Sequence, residues 1–125
     1  MEFSYVPKNE LNMHALNRVF DLTQDQLSQV VDSDEYLTVI YFYSTWSLKC
    51  KNLSPHYNKL PNKYKNAKFY QINGNINDDY IVDCNSCKKP AIHLYFKGHL
   101  LCQLLQPDIN DITNKIEEMT NKYVN

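Results

Sequence analysis

The residues best able to do chemistry lie between Thr45 and Pro55, in the run T-W-S-L-K-C-K-N-L-S-P. An apolar stretch, Leu37 to Tyr43, leads into it. A helix start after such a stretch offers unpaired N–H groups and the positive end of a dipole, which turn a thiol into a thiolate nucleophile. That favoured place is held by Ser47, a hydroxyl and not a thiol. A hydroxyl is far too weak an acid to ionise near neutral pH, and oxygen cannot form a mixed disulfide. Capping the helix that follows is the role expected of Ser47. Cys50, three residues on, should lie one helical turn deeper and partly covered. It can react slowly with a small oxidant or a glutathione disulfide, or simply pack. A serine-hydrolase arrangement is not expected, because His56, His93 and His99 fall on a helix, a strand and a turn.

Three more cysteines complete the thiols. Cys84 and Cys87 form C-x-x-C, a spacing used for metal or redox work. A zinc site would need two further ligands, and the available His93 and Cys102 would point into a sheet, so no metal and no cofactor are expected. Cys102 reads as a strand residue that packs in the core.

The elements that must position these groups follow from periodicity. Val19 to Leu22 reads as a short strand. Thr23-x-x-Gln26 has capping-box spacing, and Leu27, Val30 and Val31 give a helical face to about Ser33. Leu37 to Tyr43 is apolar on both faces, as a central covered strand is. Leu53, Tyr57, Leu60 and Tyr64 then recur on one helical face, with a kink predicted at Pro55. Ala67 to Ile72 reads as a strand, and Asn77 to about Cys84 as a helix. Ala91 to Phe96 and Leu100 to Leu105 read as strands joined by a Lys97-Gly98 turn. Asp108 can cap a last helix carrying Ile109, Ile112, Ile116 and Met119. The order is βαβαβαββα: an α/β fold with a central mixed sheet and helices on both faces. Residues 1–18 read as an N-terminal arm and residues 19–125 as the domain.

The Trp46-Ser47-x-x-Cys50 tetrad with Pro55, and the distant segment Lys88 to Gly98 (K-K-P-A-I-H-L-Y-F-K-G), together resemble the thioredoxin family. There the pattern is strand, W-C-x-x-C, then a helix kinked by Pro. The resemblance covers roughly residues 19 to 121 and implies the thioredoxin fold. It implies that Pro90 is cis and faces the tetrad, and that Lys89 offers its backbone to an extended peptide partner. It makes Ser47 and Cys50 the active-site positions, and Trp46, Lys89 and Pro90 the partner-binding surface. In thioredoxins the first thiol attacks and the second resolves; this chain keeps only the second. A further alternative is that Ser47 is an engineered replacement of a natural cysteine, in which case the natural chain is a plain thioredoxin with a W-C-L-K-C site. Monothiol glutaredoxins lose the opposite thiol, so their chemistry does not carry over.

Further departures concern the support of the site. Tyr41 aligns with the buried Asp usual beneath the thioredoxin site, and Gln71 with the nearby Lys. Gln106 stands where the family commonly has Gly facing the proline loop, which should narrow the peptide groove. The expected function is a divergent thioredoxin-like protein, with dithiol reductase activity lost or weak and protein binding through the Trp46 and Pro90 surface retained. One alternative is an atypical oxidoreductase using Cys50 with Cys87 or glutathione, with Cys84 and Cys87 as auxiliary thiols. A second is a redox-inactive domain like those of phosducin-like chaperone assistants, whose long helical extension is missing.

Composition sets the bounds. The 125 residues suit one domain, and 43% hydrophobic residues suffice for a core. A net charge of −1 with scattered lysines gives no basic stripe, so nucleic acid is not an expected partner. No run suggests a secretory signal or a membrane span. Four cysteines are too few for a disulfide-built secreted domain, so an intracellular, cytoplasmic location is the default expectation. A monomer is the expected state.

Overall fold

The computed structural model describes residues 18–74 and 89–124. The arm, the Asn77–Cys84 helix and the Cys84/Cys87 pair fall outside the described residues, as does all but the last residue of the arm's boundary with the domain. The described elements are β1 (Phe20–Leu22), a 3-10 turn (Gln24–Gln26), α1 (Leu27–Val30), β2 (Leu37–Tyr43), α2 (Leu48–Tyr57), α3 (Leu60–Lys63), β3 (Ala67–Asn73), β4 (Ala91–Phe96), β5 (His99–Leu105) and α4 (Ile109–Met119). A π-helical turn, Thr120–Val124, extends α4.

The five strands form one mixed sheet in the order β1-β3-β2-β4-β5. β1 and β2 run parallel to β3, while β4 runs antiparallel to β2 and β5 to β4. β2 is therefore central, and its first six residues are buried, as its two-sided apolar pattern requires. Alternate residues feed two cores. Leu37, Val39, Tyr41, Phe69, Ile92 and Leu94 pack with Leu53, Tyr57 and Leu60 and with Ile112, Ile116 and Met119 of α4. Ile40, Phe42, Tyr70 and Ile72 face the other way, against Leu27 and Val30 of α1.

Local chemistry explains where the elements stop. The Gln26 side-chain oxygen accepts from the Thr23 N–H at 3.0 Å, one half of the box read from the sequence. The following helix ends at Val30, short of Ser33. The carbonyls just past it are taken by the β4–β5 turn: Gly98 N–H donates to Val31 O and Lys97 N–H to Ser33 O, both at 2.9 Å. Pro55 lies inside α2, and the break in the long apolar face comes later, between α2 and α3. Pro61 has no N–H to give the Tyr57 carbonyl, so the ladder cannot continue there. Lys97 (φ 53°) and Gly98 (φ 80°) both take positive φ, the signature of a tight two-residue hairpin turn. Asp108 and Asp111 form a reciprocal capping box at α4.

Candidate active site

Ser47 is the N-cap of α2. Its backbone is extended, and its Oγ accepts from the Cys50 N–H at 3.2 Å. Its own N–H donates to Ser44 O at 3.3 Å, closing the turn that leaves β2. The hydroxyl thus satisfies a helix-end donor, as its residue type favours. One turn on, Cys50 is buried, with Leu53 and Tyr57 on the same side of α2. The sequence led us to expect partial cover; the packing of α2 on β2 gives almost complete cover. Trp46 and Leu48, on either side of Ser47, are 83% and 70% exposed. These are the two most exposed large apolar side chains among the described residues.

Beneath the tetrad, β2 supplies an aromatic group. Tyr41 is fully buried, and its ring lies 4.7 Å from that of Tyr57 and 5.6 Å from that of Tyr43, centroid to centroid. Its hydroxyl lies 2.8 Å from Ser54 Oγ and 3.2 Å from the Cys50 carbonyl, to which it can donate. Burial pushes the phenol well above its ordinary range, and the adjacent Cys50 adds to the shift. Tyr41 therefore stays neutral and cannot serve as a base near pH 7. Its sheet partner on β3 is Gln71. The Gln71 amide donates to Asp21 Oδ1 at 2.7 Å and so bonds across to β1. An open cleft of about 500 Å³ runs beside these groups, lined by Tyr43, Ser44, Thr45, Cys50, Ser54 and Pro55, among others.

The second segment arrives from the start of β4. The Lys89–Pro90 bond is cis, as the resemblance implied. Pro90 is buried. Its carbonyl accepts from the Gln106 N–H at 2.7 Å, which fixes the end of β5 against the proline loop. The Lys89 side chain runs over Gly74, where an added Cβ would fall 2.5 Å from Lys89 Cε and 3.0 Å from the Tyr43 carbonyl. Only glycine leaves that passage open. Lys49 Nζ donates to Gln106 Oε1 at 3.2 Å, joining the tetrad directly to the residue after β5.

This contact, the Ser54–Tyr41 bond and the exposure of Leu48 were not read from the sequence. Lys49 and Gln106 lie 57 residues apart, and neither side chain advertises a partner so distant. Of the remaining candidates, Cys102 is half-buried on β5, and burial raises its thiol pKa. His56 and His99 are exposed, while His93 is buried. Among the described residues, no group of three His, Cys, Asp or Glu side chains is placed to hold a metal. None of their helices is long and apolar enough to cross a membrane.

A family model described as Thioredoxin matches residues 18–105. The chain belongs to the thioredoxin family. Mouse thioredoxin is 32% identical over 62 residues, half of this chain and 59% of that protein. A thioredoxin-like protein of Acanthamoeba polyphaga mimivirus is 25% identical over 89 residues, 70% of this chain and 65% of that protein. A probable protein disulfide-isomerase A6 of Medicago sativa is 34% identical over 89 residues, 63% of this chain but 22% of that protein. The chain thus spans less than two thirds of the length of these relatives. Among solved structures, the long form of thioredoxin f from spinach chloroplast superposes with a TM-score of 0.78 at 16% identity, covering 94% of this chain and 98% of that one. Oxidised mitochondrial thioredoxin 3 of Saccharomyces cerevisiae gives 0.72 at 22% identity, covering 80% and 94%. At such identities the superpositions establish the thioredoxin fold. Family membership adds the thioredoxin-like oxidoreductase lineage to it.

Proposed function

We propose that this thioredoxin-family protein binds protein partners through the surface of Trp46, Lys89 and Pro90, and that its dithiol reductase activity is lost or weak. The observation that carries the reading is the engagement of Ser47. The side chain that would attack a disulfide in a two-thiol relative is an oxygen, and it is spent on the Cys50 N–H. The thiol that remains is buried, so a protein disulfide has no open sulfur to meet. Tyr41 and Gln71, in place of the Asp and Lys named by the resemblance, supply no ionisable pair to move a proton at Cys50. The exposed Trp46 and Leu48, on the turn that Lys49 ties through Gln106 to the cis-proline loop, support the binding surface. Insulin reduction with a dithiol reductant tests the catalytic half: turnover equal to that of a Cys50→Ala variant is expected, and turnover well above it would overturn the reading. Affinity capture with the wild type and Trp46→Ala tests the binding half. Identical captured sets would count against it.

The cleft beside Cys50 favours a second reading. Oxidised glutathione is small enough for this cleft, and once local opening of α2 bares the buried sulfur, a Cys50 thiolate would displace one glutathione thiolate to form a mixed disulfide. Incubation with oxidised glutathione and intact-mass measurement tests this. A one-glutathione adduct that Cys50→Ala abolishes would support it, and an unmodified Cys50 would end it.

A further inference from the structure

Gln106 stands in a conformation that its residue type does not favour. Its φ is +49°, in the left-handed region that side chains other than glycine enter at a cost. Such an outlier beside a candidate site is grounds for a functional hypothesis. The backbone there is held from one side, by the bond from Gln106 N–H to the Pro90 carbonyl. Its side-chain Oε1 accepts from Lys49 Nζ. The pair joins the residue before Cys50 to the segment seated on the cis-proline loop. Trp46 and Leu48 are exposed on the same turn as Lys49, and Lys51 is exposed just beyond Cys50. The turn from Thr45 to Ser54 carries two lysines and no carboxylate.

We infer that Gln106 is a specificity-determining residue of this surface, and that the Lys49–Gln106 contact is a strap that an incoming extended segment must displace. The inference rests on the partner-binding reading above and names the class of partner. A segment lying along Lys89 and Pro90 breaks the strap and takes Lys49 away from its acceptor. Recovery is best when the segment brings a carboxylate, because it meets the Lys49 ammonium as an opposite charge, where the Gln106 amide offers only a dipole. Lys51 adds a second positive charge nearby. The surface therefore selects extended acidic segments that also carry an apolar side chain for Trp46 and Leu48.

Selection from a random-peptide phage library against the full chain tests this. Synthetic copies of the selected peptides are then titrated by the fluorescence of Trp46, the only tryptophan in the chain. The wild type should enrich Asp- and Glu-containing peptides, and Lys49→Met should lose that bias. Gln106→Gly frees the strap and the left-handed backbone together, and should bind the selected peptides roughly two- to tenfold tighter, the size of one exchanged hydrogen bond. Gln106→Glu strengthens the strap and should weaken them by a similar factor. Peptides without acidic bias, or affinities unmoved by both Gln106 variants, would overturn the strap while leaving the binding surface standing. Enrichment of nothing by the wild type, or of the same peptides by Trp46→Ala, would instead remove the binding reading and the strap with it.

Discussion

At the scale of single residues, one atom separates Ser47 from the thiol that its place in the turn would activate. The hydroxyl is not idle, since it caps α2. Ser47→Ala should therefore cost about 1 kcal/mol of stability, measured by urea denaturation, while Ser47→Asp should hold close to the wild type. An unchanged midpoint in Ser47→Ala would remove the capping role. His93 gives a pH-dependent signature. Its ring is buried against Phe42 at 4.6 Å between centroids, and neither nitrogen has a hydrogen-bond partner among the described residues. Burial lowers its pKa from 6.5 to about 4. The unfolded chain takes up a proton as pH falls below 6.5, and the folded chain does not until about 4. The contribution of His93 is therefore fully present above that window and drains as pH falls through it, by roughly 1.4 kcal/mol per pH unit. Denaturation midpoints of His93→Phe should fall less steeply with acid than those of the wild type. Equal slopes would show that His93 is not held neutral.

At the scale of elements, the sequence was most legible where a single periodicity ran unopposed. β2 matches its two-sided apolar run from Leu37 to Tyr43 residue for residue, and the Lys97-Gly98 turn and the Asp108 cap lie where their residue types place them. It was least legible where a distant partner took over a backbone group. Nothing in Val31 or Ser33 says that their carbonyls, just past α1, belong to a hairpin turn some 65 residues away. The Tyr57–Pro61 break was visible in principle, since Pro61 cannot donate, but the apolar face continues across it and hid the stop. The same division holds at the site. Trp46, Ser47, Cys50 and Pro90 were legible because they sit in two local motifs. The Lys49–Gln106 bond and the Tyr41–Ser54 pair were not, because side-chain contacts across the fold leave no local trace. The hairpin offers a check at this scale. Gly98 has open space at its Cβ position but a φ of 80°, so Gly98→Ala should cost about 1 kcal/mol through backbone strain alone. A neutral substitution would mean that the turn relaxes without loss.

At the scale of the whole molecule, the sheet order, the cis-proline loop and the helix rising from β2 all belong to the thioredoxin family. On that scaffold the Ser47-x-x-Cys50 tetrad carries one thiol. The second thiol is in place but sealed under α2. The charged groups that would serve it are replaced by a neutral phenol and an amide bound to β1. What stays open is the apolar turn beside the proline loop. Under the function proposed above, such a scaffold holds proteins and does not turn them over. Insulin turnover by the wild type and by Ser47→Cys, compared side by side, bears most directly on this. The wild type should remain at the rate of the reductant alone, and Ser47→Cys should rise measurably above it. Equal turnover in the two proteins, well above that background, would contradict the assignment of the lost step to the atom at position 47.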